Sequence, residues 1–275
     1  MIAPAHADRI RIQHPTSGEA VRLRKHGQVV PVVERDPPVP DWPGVPWGSS
    51  PRESRPRQIV VCDDPPVERL RLPDVLAHPD DGTAADVVRE YMRVAPELPG
   101  GVAYTGSLFE GWDGGGDRPE VRDVFTDADV SALALLSVHL KGTGLVELLD
   151  RRSDRLSALL QAIPHDIDLH AAPPELVGPG SAAWKLWDEL RAIDSIEWVI
   201  ASKLLSRKRP RLIPVYDNVV RAAVGAPGNF WESLRFELST EDAALAHRLS
   251  RIGQEGGAPN LSILRVFDVL AWMGG

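Results

Sequence analysis

The stretch that decides the fold runs Ala192-Ile193-Asp194-Ser195-Ile196-Glu197-Trp198-Val199-Ile200-Ala201-Ser202-Lys203-Leu204-Leu205-Ser206-Arg207-Lys208-Arg209-Pro210-Arg211-Leu212-Ile213-Pro214-Val215-Tyr216-Asp217-Asn218-Val219-Val220-Arg221. It opens as a short turn between two helices. The second helix is expected over Ile196–Ser206, where apolar residues recur at helical spacing. Pro210 has no backbone donor and marks its stop. A further helix is expected over Pro214–Ala223. Ile193–Val224 is therefore the hairpin-like core of a mainly α protein.

The same periodicity extends outward from this core. Ser181 stands ready to cap a helix through Arg191 that carries Trp184, Leu186, Trp187 and Leu190. Thr126-Asp127-Ala128-Asp129 has the form of a capping box opening Asp127–His139. That segment is apolar nearly all round and is expected to be a buried central helix. Thr83 precedes a helix over Ala84–Val94, and Leu145–Ala162 reads as one helix or a broken pair. Phe230–Leu238, Thr240–Ile252 and Asn260–Met273 complete the set. Glycine-rich Gly100–Pro119 is expected as a loop carrying Tyr104, Phe109 and Trp112.

Residues 1–80 have another texture and hold more than half of the 25 prolines. Proline at that density fixes φ and removes donors, which disfavours long helices. Arg9–Gln13, Ala20–Arg24 and Gln28–Val33 read as a small β-meander with turns at Gly18 and His26-Gly27. Asp36–Arg57 reads as an extended linker, and Gln58–Cys62 as one more short strand. The expected division is a proline-rich β/extended extension over 1–80 and a helical domain over 81–275.

Composition narrows the class. The formal net charge of −8 argues against a protein coated with basic faces. A local basic footprint is compatible with it, because screening confines such fields to about 8–10 Å. The one cysteine, Cys62, excludes an intramolecular disulfide and a cysteine-rich zinc site, and fits a reducing, cytoplasmic location. Met1–Ile12 lacks the apolar run of a signal peptide, and no run approaches the ~18 apolar residues of a membrane span. No membrane partner is expected.

Several residues carry a functional reading beside a structural one. Lys203, Arg207, Lys208, Arg209 and Arg211 place five cations and no acid in nine residues. Such a cluster forms either a phosphate-contacting patch or a solvated helix C-terminus favoured by the macrodipole. Asp217 is either a catalytic carboxylate or the N-cap of the helix it precedes, and the two roles are compatible. Trp198, Tyr216 and Asn218 either surround a pocket beside Asp217 or belong to the core. Spacing favours the core for the tryptophans. His165-Asp166-Ile167-Asp168-Leu169-His170 offers donors from one loop only, and His139 and His247 add no ligand spacing, so no metal is expected. Asp113-Gly114-Gly115-Gly116-Asp117 lacks the lysine and hydroxyl of a phosphate loop, and no cofactor is expected.

The order of hairpin, helix, loop, Pro214-Val215-Tyr216-Asp217 and an arginine-bearing helix resembles the core of the helix-hairpin-helix DNA glycosylase superfamily. Ser195 stands where that family has its first hairpin glycine, and 22 positions separate it from Asp217. The likeness implies Asp217 as catalytic carboxylate, with Lys203, Arg207, Lys208, Arg209, Arg211 and Arg221 as nucleic-acid contacts. The hairpin here reads Ser195-Ile196-Glu197, where the family has glycines. Val199 occupies the place of the lysine nucleophile of bifunctional members, which implies a monofunctional chemistry at most. More narrowly, Tyr104-Thr105-Gly106, the Lys203–Asp217 string and Leu264-Arg265-Val266-Phe267-Asp268 resemble an actinobacterial domain family of unknown function, number 6308, over roughly residues 85–273.

These observations lead to a helical, glycosylase-like domain that binds nucleic acid, DNA above all, and is a candidate N-glycosidic bond hydrolase. The competing reading is an inactive helical scaffold that binds a protein partner or a small molecule. Asp217→Asn and charge reversal at Lys208 and Arg209 distinguish them.

Overall fold

The computed structural model describes residues 67–274, together with a two-residue antiparallel backbone pairing of Arg24 with Val29 and Lys25 with Gln28. The chain divides into Met1–Cys62 and Asp63–Gly275. The remainder of the expected meander, the linker and the strand at Gln58–Cys62 lie outside the described residues. The helical body starts before residue 81: Leu70, Val75 and Leu76 are buried in its core. The Arg71 amide donates to the Val224 carbonyl at 3.1 Å.

The body is built from α1 (Asp74–Ala77), α2 (Gly82–Tyr91), α3 (Asp127–Leu135), α4 (Gly142–Val146), α5 (Ser153–Gln161), α6 (Ala182–Arg191), α7 (Trp198–Lys208), α8 (Asn218–Ala223), α9 (Phe230–Glu255) and α10 (Ile263–Gly274). Local chemistry sets many of the ends. Thr126 forms the expected capping box: its hydroxyl accepts from the Asp129 amide, and its own amide donates to Asp129 Oδ2 at 2.8 Å. Ser181 accepts from the Trp184 amide at 3.1 Å, and Asn229 Oδ1 from the Glu232 amide at 3.3 Å. Thr83, expected as a cap, instead lies inside α2.

Other boundaries were set by backbone reversal. α3 ends at Leu135, before the expected His139, because Ser137 takes the left-handed φ of 59°. Nor is α3 enclosed all round: Ser131 and Ala134 are exposed, while Asp129, Ala132 and Leu133 face inward. Leu145–Ala162 is a broken pair, with a π-helical turn at Glu147–Arg151 between α4 and α5. α9 is interrupted at Thr240–Ala243, where Glu241, Asp242 and Ala243 have φ of 52°, 53° and 59°. This separates the two helices expected there.

α7 runs through the centre against α3 and α6, with Ala201, Leu204 and Leu205 fully enclosed. α10 packs on α2, α8 and α9. Trp184 and Trp187 of α6 each meet Trp231 of α9 at 5.4 Å between ring centroids, as expected of core residues. Between α6 and α7 the chain turns through Ser195, which has φ of 75° and stands between buried Ile193 and Ile196.

Candidate functional site

The cationic end of α7 does not face solvent. Arg207, Lys208 and Arg209 are 2%, 0% and 1% exposed. Their donors thread the glycine-rich loop that runs from residue 100 to 124. Arg207 donates to the carbonyls of Phe109, Glu110 and Trp112 and to Asp129 Oδ1. Lys208 Nζ donates at 3.1 Å to both Gly116 and Val121 and pairs with Asp129 Oδ2 at 2.5 Å. Arg209 reaches the Ile163 carbonyl at 2.9 Å, the Arg122 carbonyl at 2.7 Å and Asp123 Oδ1 at 2.7 Å.

A buried cation is tolerable only when its donors are satisfied. Here carbonyls of a loop without sheet or long helix do so, and in return the loop gains an internal frame. Gly116 is part of the fit: a Cβ there would lie 2.6 Å from the Arg207 carbonyl. Burial lowers the proton affinity of Arg207, Lys208 and Arg209, with Asp129 and Asp123 opposing it. The expectation that these three form a phosphate-contacting surface is corrected by this enclosure.

The frame delivers Tyr104-Thr105-Gly106 to a pocket of about 330 Å³. α2 ends there at Tyr91, α3 at Leu135, and α10 presents Arg265, Asp268 and Trp272 along one face. Lys203 of α7 and Asp217, the residue before α8, enter from the other side. Lys203, also expected at phosphates, is 4% exposed and turned into this pocket.

Two ion pairs and an aromatic wall make up its chemistry. Lys203 Nζ lies 3.4 Å from Asp217 Oδ2 and donates to the Leu136 carbonyl at 3.2 Å. Burial pulls the Lys203 ammonium below the ordinary lysine value, and Asp217 pulls it back up. Asp217 Oδ1 accepts from the amides of Val219 and Val220 at 3.0 and 3.1 Å, so the residue is an N-cap as well as a pocket carboxylate. Arg265 pairs with Asp268, donates to the Tyr91 hydroxyl at 2.6 Å, and donates to the Gly106 carbonyl at 3.1 Å. Burial pushes the Tyr91 phenol up, against Arg265. Tyr91 stacks on Tyr104 at 5.4 Å, and Trp272 stands edge-on to both at 6.3 and 6.0 Å. Gly106 has no room for a side chain, since a Cβ would meet the Tyr91 hydroxyl at 2.2 Å.

Of the residues expected around Asp217, neither Trp198, Tyr216 nor Asn218 lines the pocket. Trp198 packs on Tyr216 at 5.5 Å, Tyr216 stacks on Phe230 at 4.2 Å, and Asn218 is exposed at the start of α8. Burial pushes the Tyr216 phenol up to about 12, with Arg221 opposing. Arg221 is thus a neighbour of Tyr216, and Arg211, 47% exposed, forms a two-pronged pair with Asp168 at 2.8 and 2.6 Å. The pocket aromatics Tyr91, Tyr104 and Trp272 and the Arg265–Asp268 pair were not singled out as site residues. Their signal was present: two opposite charges inside the apolar run Ile263-Leu264-Arg265-Val266-Phe267-Asp268-Val269-Leu270 need partners to be buried.

Among the described residues no group of three His, Cys, Asp or Glu side chains could hold a metal ion, and no helix is long and apolar enough to cross a membrane. No curated protein and no solved structure is significantly similar to this chain. The signature of one family does match, over residues 84–275, and this range contains every residue of the pocket. The chain belongs to that family, a family of unknown function (DUF6308).

Proposed function

We propose that this protein takes a nucleobase-sized heterocycle into the Tyr91–Tyr104–Trp272 pocket and hydrolyses the N-glycosidic bond that joins it to a sugar. The observation that carries the reading is the convergence of three distant stretches, Tyr104–Gly106, Lys203–Asp217 and Arg265–Asp268, on one cavity with a carboxylate inside. A pocket of about 330 Å³ is at the small end of the roughly 300–1,000 Å³ of ligand sites. Aromatic faces suit a planar ring.

In this reading Asp217 is the catalytic carboxylate. The C1′–N bond breaks with its electron pair passing to the base, and positive charge develops on the sugar, where Asp217 stabilises it. Water then bonds to C1′, and its proton leaves for the departing base. Lys203 positions Asp217 through their ion pair at 3.4 Å. The turn at Ser195, left-handed where a glycosylase hairpin has glycine, supports descent from the helix-hairpin-helix scaffold. The aromatic faces for the ring come from Tyr91, Tyr104 and Trp272.

A second reading, a binding module without turnover, is favoured by one observation. Both Asp217 oxygens are engaged, one by the α8 amides and the other by Lys203. The experiment is a thermal-shift screen of bases and nucleosides, followed by chromatographic assay of base release. Stabilisation with turnover that Asp217→Asn abolishes supports the hydrolase. Stabilisation without turnover supports the module, and no stabilisation by any heterocycle defeats both.

A further inference from the structure

Whether the ligand is a free nucleoside, a nucleotide or a base in a polymer depends on where charge can be accommodated. The pocket lining holds two cations, Lys203 and Arg265, and two carboxylates, Asp217 and Asp268. Each cation is already paired. Lys203 is held by Asp217 and the Leu136 carbonyl, and Arg265 by Asp268, the Tyr91 hydroxyl and the Gly106 carbonyl. The cations that follow on α7, Arg207 and Lys208, are turned to the carbonyls of the 100–124 loop. Arg93, on the Tyr104 side, is bound by Glu90 at 2.9 Å and Glu97 at 3.6 Å. A phosphate entering here would have to open an ion pair and leave a carboxylate beside it, at the cost of desolvating both anions.

Resting on the nucleobase reading above, we infer that the pocket selects an uncharged ligand, a free nucleoside or base, and discriminates against its 5′-phosphate and against nucleic-acid polymer, because its two internal ion pairs leave no cation for a phosphate. An uncharged ring instead meets the wall of Tyr91, Tyr104 and Trp272, with the fixed pairs offering hydrogen bonds at its edge.

The test is calorimetric titration of the full chain with purine and pyrimidine nucleosides, the matching 5′-monophosphates, and single-stranded and abasic duplex DNA, at low and moderate salt. The expected result is nucleoside binding at least about tenfold tighter than monophosphate binding, with no oligonucleotide binding. Asp268→Asn frees the charge of Arg265 and should shift the preference toward the monophosphate. Trp272→Ala, at a 42% exposed position, should weaken nucleoside and monophosphate alike. Monophosphate or oligonucleotide binding as tight as nucleoside binding overturns this inference while sparing the heterocycle reading. Failure of every base, nucleoside and nucleotide to bind overturns the heterocycle reading and this inference with it.

Discussion

The Lys208 ammonium stands 2.5 Å from Asp129 Oδ2, and both side chains are enclosed. The contact joins the end of α7 to the first turn of α3, and the same Asp129 carboxylate closes the capping box with Thr126. One buried acid thus serves a helix start and a cationic core, which makes the pair a hinge of stability.

Lys208→Ala should therefore destabilise the helical body by about 3–5 kcal/mol, because it breaks a buried ion pair and strips the Gly116 and Val121 carbonyls of their donor. Chemical denaturation monitored by circular dichroism measures it. Lys208→Glu places a second buried acid beside Asp129 and should abolish the cooperative transition. If either variant instead folds with wild-type stability, the enclosure of the cation is refuted.

Gly106→Ala tests the packing of the pocket wall. The added methyl meets the Tyr91 hydroxyl at 2.2 Å and Leu136 Cδ2 at 2.9 Å. The tyrosine must move, and its bond from Arg265 is lost. Overpacking of this kind costs about 1–3 kcal/mol, and ligand-induced stabilisation should disappear with it. A melting curve with and without nucleoside reads both effects.

Ser195→Gly should raise stability by up to about 1 kcal/mol. The residue is held at φ of 75°, where a Cβ is penalised by about 1–2 kcal/mol, and glycine's greater unfolded-state freedom offsets part of the gain. Its buried hydroxyl also has no partner. A urea midpoint lower than wild type would contradict this account of the turn.

The alkaline limb of stability follows from Tyr216, whose phenol is raised from 10.0 to about 12. A raised folded pKa gives a contribution that is whole below pH 10 and lost as pH rises toward 12. Wild type should lose stability relative to Tyr216→Phe across that window, and absorbance near 295 nm should show the late phenolate. Lys203 acts with the opposite sign, because burial lowers its folded pKa below 10.5. Stability of wild type relative to Lys203→Met should rise as pH climbs toward 10.5.

The helices were legible where short-range bonds define them. Thr126, Ser181 and Asp217 each satisfy amides two or three residues ahead, and the position of an acceptor relative to an amide is written directly in the chain. The break between the two halves of α9 falls in the polar run Ser239-Thr240-Glu241-Asp242. The C-terminal end of α3 was not legible, because no residue type at Ser137 announces a left-handed backbone.

Sequence alone determined that this chain is mainly helical over its C-terminal two thirds, where its main caps lie, and that α7 ends in a run of cations. Only the tertiary structure decided which way those cations point. A lysine at a helix end is equally compatible with water, with a phosphate or with loop carbonyls, and the choice depends on what the fold places within about 3 Å of its ammonium. Carbonyls of the 100–124 loop fill that space around Arg207, Lys208 and Arg209, while Asp217 fills it for Lys203. The pocket itself is likewise a product of packing, because Tyr91, Tyr104, Lys203, Asp217 and Arg265 are neighbours only after α2, α7 and α10 close around the core.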